Sequence, residues 1–598
     1  MSRITPPQAL RVSLAAVTSL VVVSCGGGGN STPIKVPPPS SAYSLTAAAL
    51  SPSAVIAPTS ATSTITVTPA NGYTGNVTLS CSSISGGGAP NPTCSFNPST
   101  VAITAGAGTS TLKVSTTDST PSAAYAISVT GKDANNQAPS NGAQALSLTV
   151  KFQHIVLIVQ ENRTPDNMFQ DPVLIAAGAD ISKNAQTSTG AVTLQSTTLG
   201  IDYDISHENQ AWATMCDKSG STCLMDHADL ISPVTCSKGA TNCPPTSPPP
   251  EYYYVQQSDV QPYWDLAEQF TFGDHMFQTN QGPSFPAHQF LISGTSEPSD
   301  GSKLFIGENP LGVTNSSANA GCTAPSAEYV YLIDPNGSET TNAAIYPCIT
   351  GVQPTLTDEL GNAGVTWRYY APLAGSIWTA PTAIEHICVP NNPPPNGTVC
   401  TGSDYINNVA LSPGGVGNPP ILTDIAAGQL QQMSWVIPTG SNSDHAGQTT
   451  TTGGPSWVAS IVNAIAGSAY WSNTAIIIIW DDWGGWYDHV APPKVVNDGS
   501  SWGSGYVYGF RVPLIVVSPL AKPKHISQVP HDFGSILQFI EKNFDVPALG
   551  FADTNALDDL SDCFDFSQVL NPPPAIRAPL KADYFIHDQR PATGPDDD

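Results

Sequence analysis

The sequence predicts two folded parts in one chain: an all-β antiparallel sandwich, followed by an α/β domain whose largely parallel central sheet is covered by helices. Residues 42–151 alternate apolar and polar positions between Gly, Pro and Asn turns, the pattern of strands with one buried face. From residue 152 onward, short continuous apolar runs replace the alternation, as in strands buried on both faces of a parallel sheet. With 598 residues, 40% of them hydrophobic, the chain has the length for several domains and the apolar surface to fill their cores.

Taken in order, the chain opens with an address. Arg3 and Arg11 bracket the approach to an apolar run, Val12 to Val23, so residues 1–24 read as a secretory signal too short to span a bilayer. The end of the run, Val22-Val23-Ser24-Cys25-Gly26, resembles a bacterial lipobox. That resemblance implies cleavage before Cys25 and a lipid anchor holding the protein at a membrane surface. The implied location is the bacterial cell envelope, at the outer membrane or cell surface, or release from it. Residues 25–41, rich in Gly, Pro and Ser, read as a linker. Segments such as Ile65-Thr66-Val67, Val77 to Cys81, Ile127-Ser128-Val129 and Leu146 to Val150 supply the strands of the 42–151 sandwich. It resembles bacterial immunoglobulin-like modules, contains no His and reads as a spacer.

Setting Cys25 aside leaves eleven cysteines, an odd number for an exported chain. The simplest of many connectivities joins close neighbours: Cys81 with Cys94, Cys216 with Cys223, Cys236 with Cys243, Cys322 with Cys348 and Cys388 with Cys400, leaving Cys563 free. No C-x-x-C pair is present to build a tetrahedral zinc site.

In residues 152–598 the expected strands are His154 to Gln160, Val365 to Tyr370, Ser434 to Ile437, Thr474 to Trp480 and Val512 to Val517. Helical patches lie between them, at Trp457 to Ile465 and Phe533 to Asn543. Residues 185–255 and 300–350 read as elaborate loops. The balance of 20 Lys plus Arg against 46 Asp plus Glu gives a net charge of -26, which excludes a protein that neutralises nucleic-acid phosphates with a basic surface.

Ligands of open α/β sheets gather beyond the carboxyl ends of strands, and two apolar runs end in carboxylates. The first leads into Glu161-Asn162-Arg163-Thr164-Pro165-Asp166, and another into Asp481-Asp482-Trp483-Gly484-Gly485-Trp486-Tyr487-Asp488-His489. Burying adjacent carboxylates costs several kcal/mol unless a cation or hydrogen bonds compensate. Glu161, Asn162, Asp481 and Asp482 all offer oxygen, which suits a hard divalent cation such as calcium, magnesium or manganese. The structural alternative is that these groups cap helices or pair with Arg163 and Arg511. A third element, Gly282-Pro283-Ser284-Phe285-Pro286-Ala287-His288, makes Ser284 a candidate N-cap with backbone amides facing an anion. A serine hydroxyl needs a base or a metal before it becomes a good nucleophile.

These blocks, together with Arg511-Val512-Pro513 and Ser518-Pro519, resemble the bacterial phosphoesterase family, which contains phospholipases C and acid phosphatases and is related to the alkaline phosphatase superfamily. The resemblance spans about residues 152–570 and implies an alkaline phosphatase-like fold and hydrolysis of phosphate esters. It implies a divalent metal held by Glu161, Asn162, Asp481, Asp482 and the nucleophile Ser284. It also matches His207 and His445 to family histidines near the phosphate, where an imidazolium binds phosphate or protonates the leaving oxygen. A matching histidine pair in the middle of the chain is not evident, and His386 is the nearest candidate. His288 either lines the site or satisfies the helix below Ser284, and His489 reads as structural. The chain departs from the family in having Asp482 where many members have Glu, and in its Trp483 and Trp486, so substrate preference does not carry over.

The expected reaction is two-step phosphoryl transfer through Ser284 on a phospholipid or other phosphate ester. Within the family, a phospholipase C acting on diesters and an acid phosphatase acting on monoesters are both open; outside it, the alternative is a non-catalytic adhesion lipoprotein. A sulfatase motif is absent, since Ser284-Phe285-Pro286-Ala287 runs into His288.

Overall fold

The computed structural model describes residues 42–594, apart from 221, 232–242, 244–246, 313–319, 352–353, 449 and 495–505. The signal segment, the lipobox at Cys25, the linker over 25–41 and Cys236 lie outside the described residues.

The alternating segment folds into two sheets. One orders the strands Tyr43–Ala47, Ser60–Pro69, Gly108–Ser115 and Thr93–Asn97; the other orders Ala54–Val55, Gln144–Val150, Ala123–Asp133, Gly75–Ser85 and Thr100–Ile103. Alternate side chains meet in one apolar core, with Ile65, Val67, Leu112 and Val114 from the first sheet facing Val77, Ile127, Val129 and Leu148 of the second. The Cys81–Cys94 disulfide ties one sheet to the other. Cys216–Cys223, Cys322–Cys348 and Cys388–Cys400 also form, and Cys563 is free and buried.

The apolar runs build an eight-stranded sheet. In chain order its strands are β1 (His154–Gln160), β2 (Thr271–Gly273), β3 (Trp367–Ala371), β4 (Val409–Leu411), β5 (Met433–Val436), β6 (Thr474–Trp480), β7 (Leu514–Val517) and β8 (His525–Ser527). Across the sheet the order is β4-β3-β5-β1-β6-β7-β2-β8. All neighbours are parallel except where β7 meets β6 and β2. The sheet is therefore mixed. β7 alone runs against both of its neighbours. β7 also starts at Leu514 rather than Val512, because Pro513 has no N–H for the ladder.

Among the helices around this sheet are α1 (Ser284–Ser293), α2 (Gly453–Ala466) and α3 (Phe533–Phe544). All ten residues of α1 are buried, and Trp435 of β5 donates its indole N–H to Leu291 O at 3.0 Å, pinning α1 to the sheet. α3 begins with a reciprocal cap between Asp532 and Ser535. The two long connections contain small sheets of their own. Residues 185–255 include the hairpin Asn184–Thr187 with Gly190–Thr193 and the helix Asn209–Cys216; residues 300–350 hold the three-stranded sheet Phe305–Ile306, Val330–Ile333 and Glu339–Ile345. Among the described residues no helix is long and apolar enough to cross a membrane.

Candidate active site

The parallel pairing of β1 with β6 positions the site. Their register runs from His154 opposite Thr474 to Gln160 opposite Trp480, so the two strands end together and deliver Glu161 and Asp481 side by side. The chain then turns sharply. Asn162 takes a left-handed conformation at φ 62° and donates its backbone N–H to Asp481 Oδ1 at 3.1 Å. Asp481 Oδ1 also accepts from Asp482 N at 2.8 Å, and Asp482 Oδ1 accepts from Gly484 N at 2.7 Å. Gly484 has φ +62°, and a Cβ there would collide with the carbonyl oxygen of Asn162; only glycine lets the two turns approach this closely.

Ser284 comes from a separate element, the helix α1. It is the first residue of α1 and not its cap: Pro283 occupies the cap position. The hydroxyl is used elsewhere, Oγ donating to Asp482 Oδ2 at 3.0 Å and lying 3.4 Å from Asn162 Oδ1. The neighbouring amide, Phe285 N, donates to Asn309 Oδ1 at 2.9 Å. The N-cap expected for Ser284 is thus replaced by a side chain from a distant loop, which leaves the hydroxyl directed at the carboxylates.

Of the histidines, His207 and His445 are brought to this group, their rings 5.9 Å apart. His207 Nδ1 donates to Ile205 O at 2.8 Å, and Nε2 accepts from Asn162 Nδ2 at 2.8 Å. His445 Nδ1 donates to Ala446 O at 2.7 Å. Asp444, next to it, is fully buried and accepts from Tyr263 Oη at 2.8 Å and Trp480 Nε1 at 3.0 Å. Burial outweighs those bonds and the nearby Arg163 charge, and lifts its pKa to about 7. His386 is not brought into this constellation: its Nε2 pairs with Asp358 at 2.9 Å, beside the helix Leu356–Asn362. His489 is tied to Asp166 at 2.7 Å and Asp180 at 3.0 Å.

His288 lies against the carboxylates and not only under the helix of Ser284. Four residues after Ser284, it lies one turn along the same helix face, and that spacing is the signal that marks it. Its Nε2 is 3.3 Å from Glu161 Oε1 and 3.6 Å from Asp481 Oδ2. The ligand atoms of Glu161, His288 and Asp481 all lie within 4.8 Å of one another, and all three residues are buried.

The electrostatics of this cluster are unbalanced. Burial, then the charges of Asp481 and Asp482, push Glu161 well above the usual carboxylate range; burial and Asp481 do the same to Asp482. Burial lowers His288 to about 4 against the pull of Asp481. Neither arginine proposed as a partner relieves the repulsion. Arg163 donates to Asp444 O and to Asn167 Oδ1 at 2.8 and 3.3 Å. Arg511 grips Asp488 with Nε–Oδ1 at 2.8 Å and Nη2–Oδ2 at 3.0 Å. Both oxygens of Glu161, Asp481 Oδ2 and His288 Nε2 are buried without a hydrogen bond of normal geometry. Such an orphaned set of donors fits a divalent cation.

A family model described as the Phosphoesterase family matches residues 152–547. The chain is 24% identical over 367 residues to the non-hemolytic phospholipase C of Pseudomonas aeruginosa, covering 56% of this chain and 46% of that protein. It is 24% identical over 450 residues to the hemolytic phospholipase C of the same organism, covering 69% and 56%. It is 27% identical over 277 residues to phospholipase C A of Mycobacterium tuberculosis, covering 42% and 50%. The chain thus spans about half the length of the curated relatives it matches.

Proposed function

The chain belongs to the phosphoesterase family, and from that premise we propose that it hydrolyses phosphate esters as a phospholipase C, cleaving the phosphodiester of a phospholipid head group through Ser284. The observation that carries the reading is the convergence of a serine hydroxyl on three buried carboxylates whose nearest arginines are committed elsewhere. Glu161, Asn162, Ser284, Asp481 and Asp482 would hold the divalent ion, with His288 beside them. Bound there, the ion would lower the hydroxyl's pKa and neutralise charge on the phosphoryl oxygens.

The chain's own groups do the rest. Asp482 Oδ2, 3.0 Å from the hydroxyl, receives its proton as Oγ attacks phosphorus in line. Asn162 keeps its amide oxygen toward Ser284 because His207 takes the amide nitrogen. His445, its Nδ1 held on Ala446 O, protonates the departing oxygen through Nε2. Water then releases the phosphorylated head group from Ser284. The same reading extends to the N-terminus: a signal over residues 1–24, a lipid anchor at Cys25, a linker over 25–41 and an immunoglobulin-like spacer over 42–151 that holds the 152–598 catalytic domain off an envelope surface.

The test compares p-nitrophenylphosphorylcholine with p-nitrophenyl phosphate, for wild type and Ser284→Ala, with and without chelator. Preference for the diester, abolished by the substitution and by chelation, supports the reading. Preference for the monoester makes the protein a phosphatase. Activity on neither, from folded protein supplied with divalent ions, returns it to the adhesion class.

A further inference from the structure

The environment of His288 fixes which of its nitrogens carries the proton. On one side, Nδ1 lies 3.4 Å from the phenol oxygen of Tyr369. That phenol has a single hydrogen, and it is donated to Trp378 O at 2.8 Å. Toward the imidazole, Tyr369 Oη is therefore an acceptor, and Nδ1 must be the N–H. In the neutral ring Nε2 then carries the lone pair, and it faces Glu161 Oε1 and Asp481 Oδ2, 3.3 and 3.6 Å away. Three lone-pair-bearing atoms facing one another, buried and without a hydrogen bond of normal geometry, repel unless a cation or a proton lies among them.

The spacing suits a cation. Two ligand atoms that share an ion at roughly 2.0 to 2.2 Å are separated by about 3 to 3.5 Å. We propose that His288 Nε2 is a direct ligand of the ion held at this site, together with Glu161 and Asp481, and that this nitrogen makes the site select manganese, iron or zinc over calcium and magnesium. The proposal rests on the metal reading of the site given above, and it changes what that reading contains. An all-oxygen set suits hard ions, whereas an imidazole shifts preference toward the later transition metals. Tyr369 then acts as the partner that holds the ring in its ligating tautomer, a role usual for the second nitrogen of a metal-bound histidine.

The test is spectroscopic and uses the full chain, stripped of metal and reloaded with Mn²⁺. Pulsed electron paramagnetic resonance of the wild type is expected to show one directly coordinated nitrogen, whose coupling changes when the protein is labelled with ¹⁵N-histidine. His288→Gln and His288→Asn are both expected to lose that coupling. They should also bind Mn²⁺ at least about tenfold more weakly, no less than loss of an outer-sphere partner costs, while calcium affinity falls less. Bound Mn²⁺ with no coordinated nitrogen in the wild type overturns the proposal and leaves an all-oxygen metal site standing. Coupling that persists in the variants assigns the nitrogen to another histidine and also overturns it. A wild-type protein that takes up no ion at all overturns the metal reading of the site and this inference with it. A wild-type spectrum without a coordinated nitrogen overturns the proposal whether or not the variants fold.

Discussion

His207 and Asn162 are joined by a 2.8 Å hydrogen bond in which the imidazole accepts from the amide nitrogen, and this bond decides which end of the amide faces Ser284. Without it the side chain is free to rotate and present nitrogen where oxygen is required. His207→Ala is expected to weaken metal binding by about 10- to 100-fold, the usual cost of losing an outer partner of a ligand. Competition against a fluorescent chelator measures this directly. Unchanged affinity would show that Asn162 is oriented by other contacts.

Chelation should be visible in stability as well as turnover. Glu161 and Asp482 are buried in mutual repulsion, so an ion that binds the folded state alone stabilises it, by about 2.7 kcal/mol at a hundredfold excess over its dissociation constant. Calorimetry is expected to show the melting transition falling by several degrees with chelator and recovering with added ion. Coincident transitions with and without chelator would contradict the site.

Arg511 and Asp488 are both fully buried and bonded through two prongs. Arg511→Met leaves Asp488 without its cation in a low-dielectric interior, a change expected to cost about 3 to 5 kcal/mol. The double variant Arg511→Met with Asp488→Leu should recover much of that loss. Urea unfolding of the three proteins checks the cycle, and equal destabilisation of single and double variants would refute the pairing.

His489 supplies a pH dependence. Burial pulls its pKa down, but the hydrogen bond and charge of Asp166 and the charge of Asp488 overcome both burial and the opposing Arg511, holding it at about 9. Asp180 also faces the ring. A cation raised from the ordinary histidine value of about 6.5 contributes stability in full below that value and loses it as pH climbs through about 9. The melting temperature should therefore fall between pH 7 and pH 9.5 in the wild type and fall less in His489→Asn. Parallel slopes for the two proteins would remove His489 as the source.

Much of this arrangement is legible in the residues alone, for reasons that differ from part to part. Glu161 and Asp481 stand out because each follows an uninterrupted apolar run, and parallel strands of equal length end at one edge. The direction of β7 is not legible, since Leu514 to Val517 reads equally apolar forward or backward. β2, β4 and β8 are three residues each, too short for any period to emerge. His288 is visible at one helical turn from Ser284, yet its role depends on Tyr369, 81 residues away. Asn309 has no local signal, because the helix end it satisfies lies in another element.

The passage from the sandwich to the sheet is three residues, Lys151 to Gln153, and it is clamped on all sides. Phe152 is fully buried among Phe539, Phe564 and Phe566. Gln153 spans the joint, its backbone N–H on Asn473 O and its amide on Ala57 O. Ser122 and Ala124 of the sandwich donate to Ser472 and Phe566 of the larger domain. The same strand that leaves this joint carries Glu161 at its other end. The joint is accordingly fastened from both parts by the same few residues that root the strand delivering Glu161.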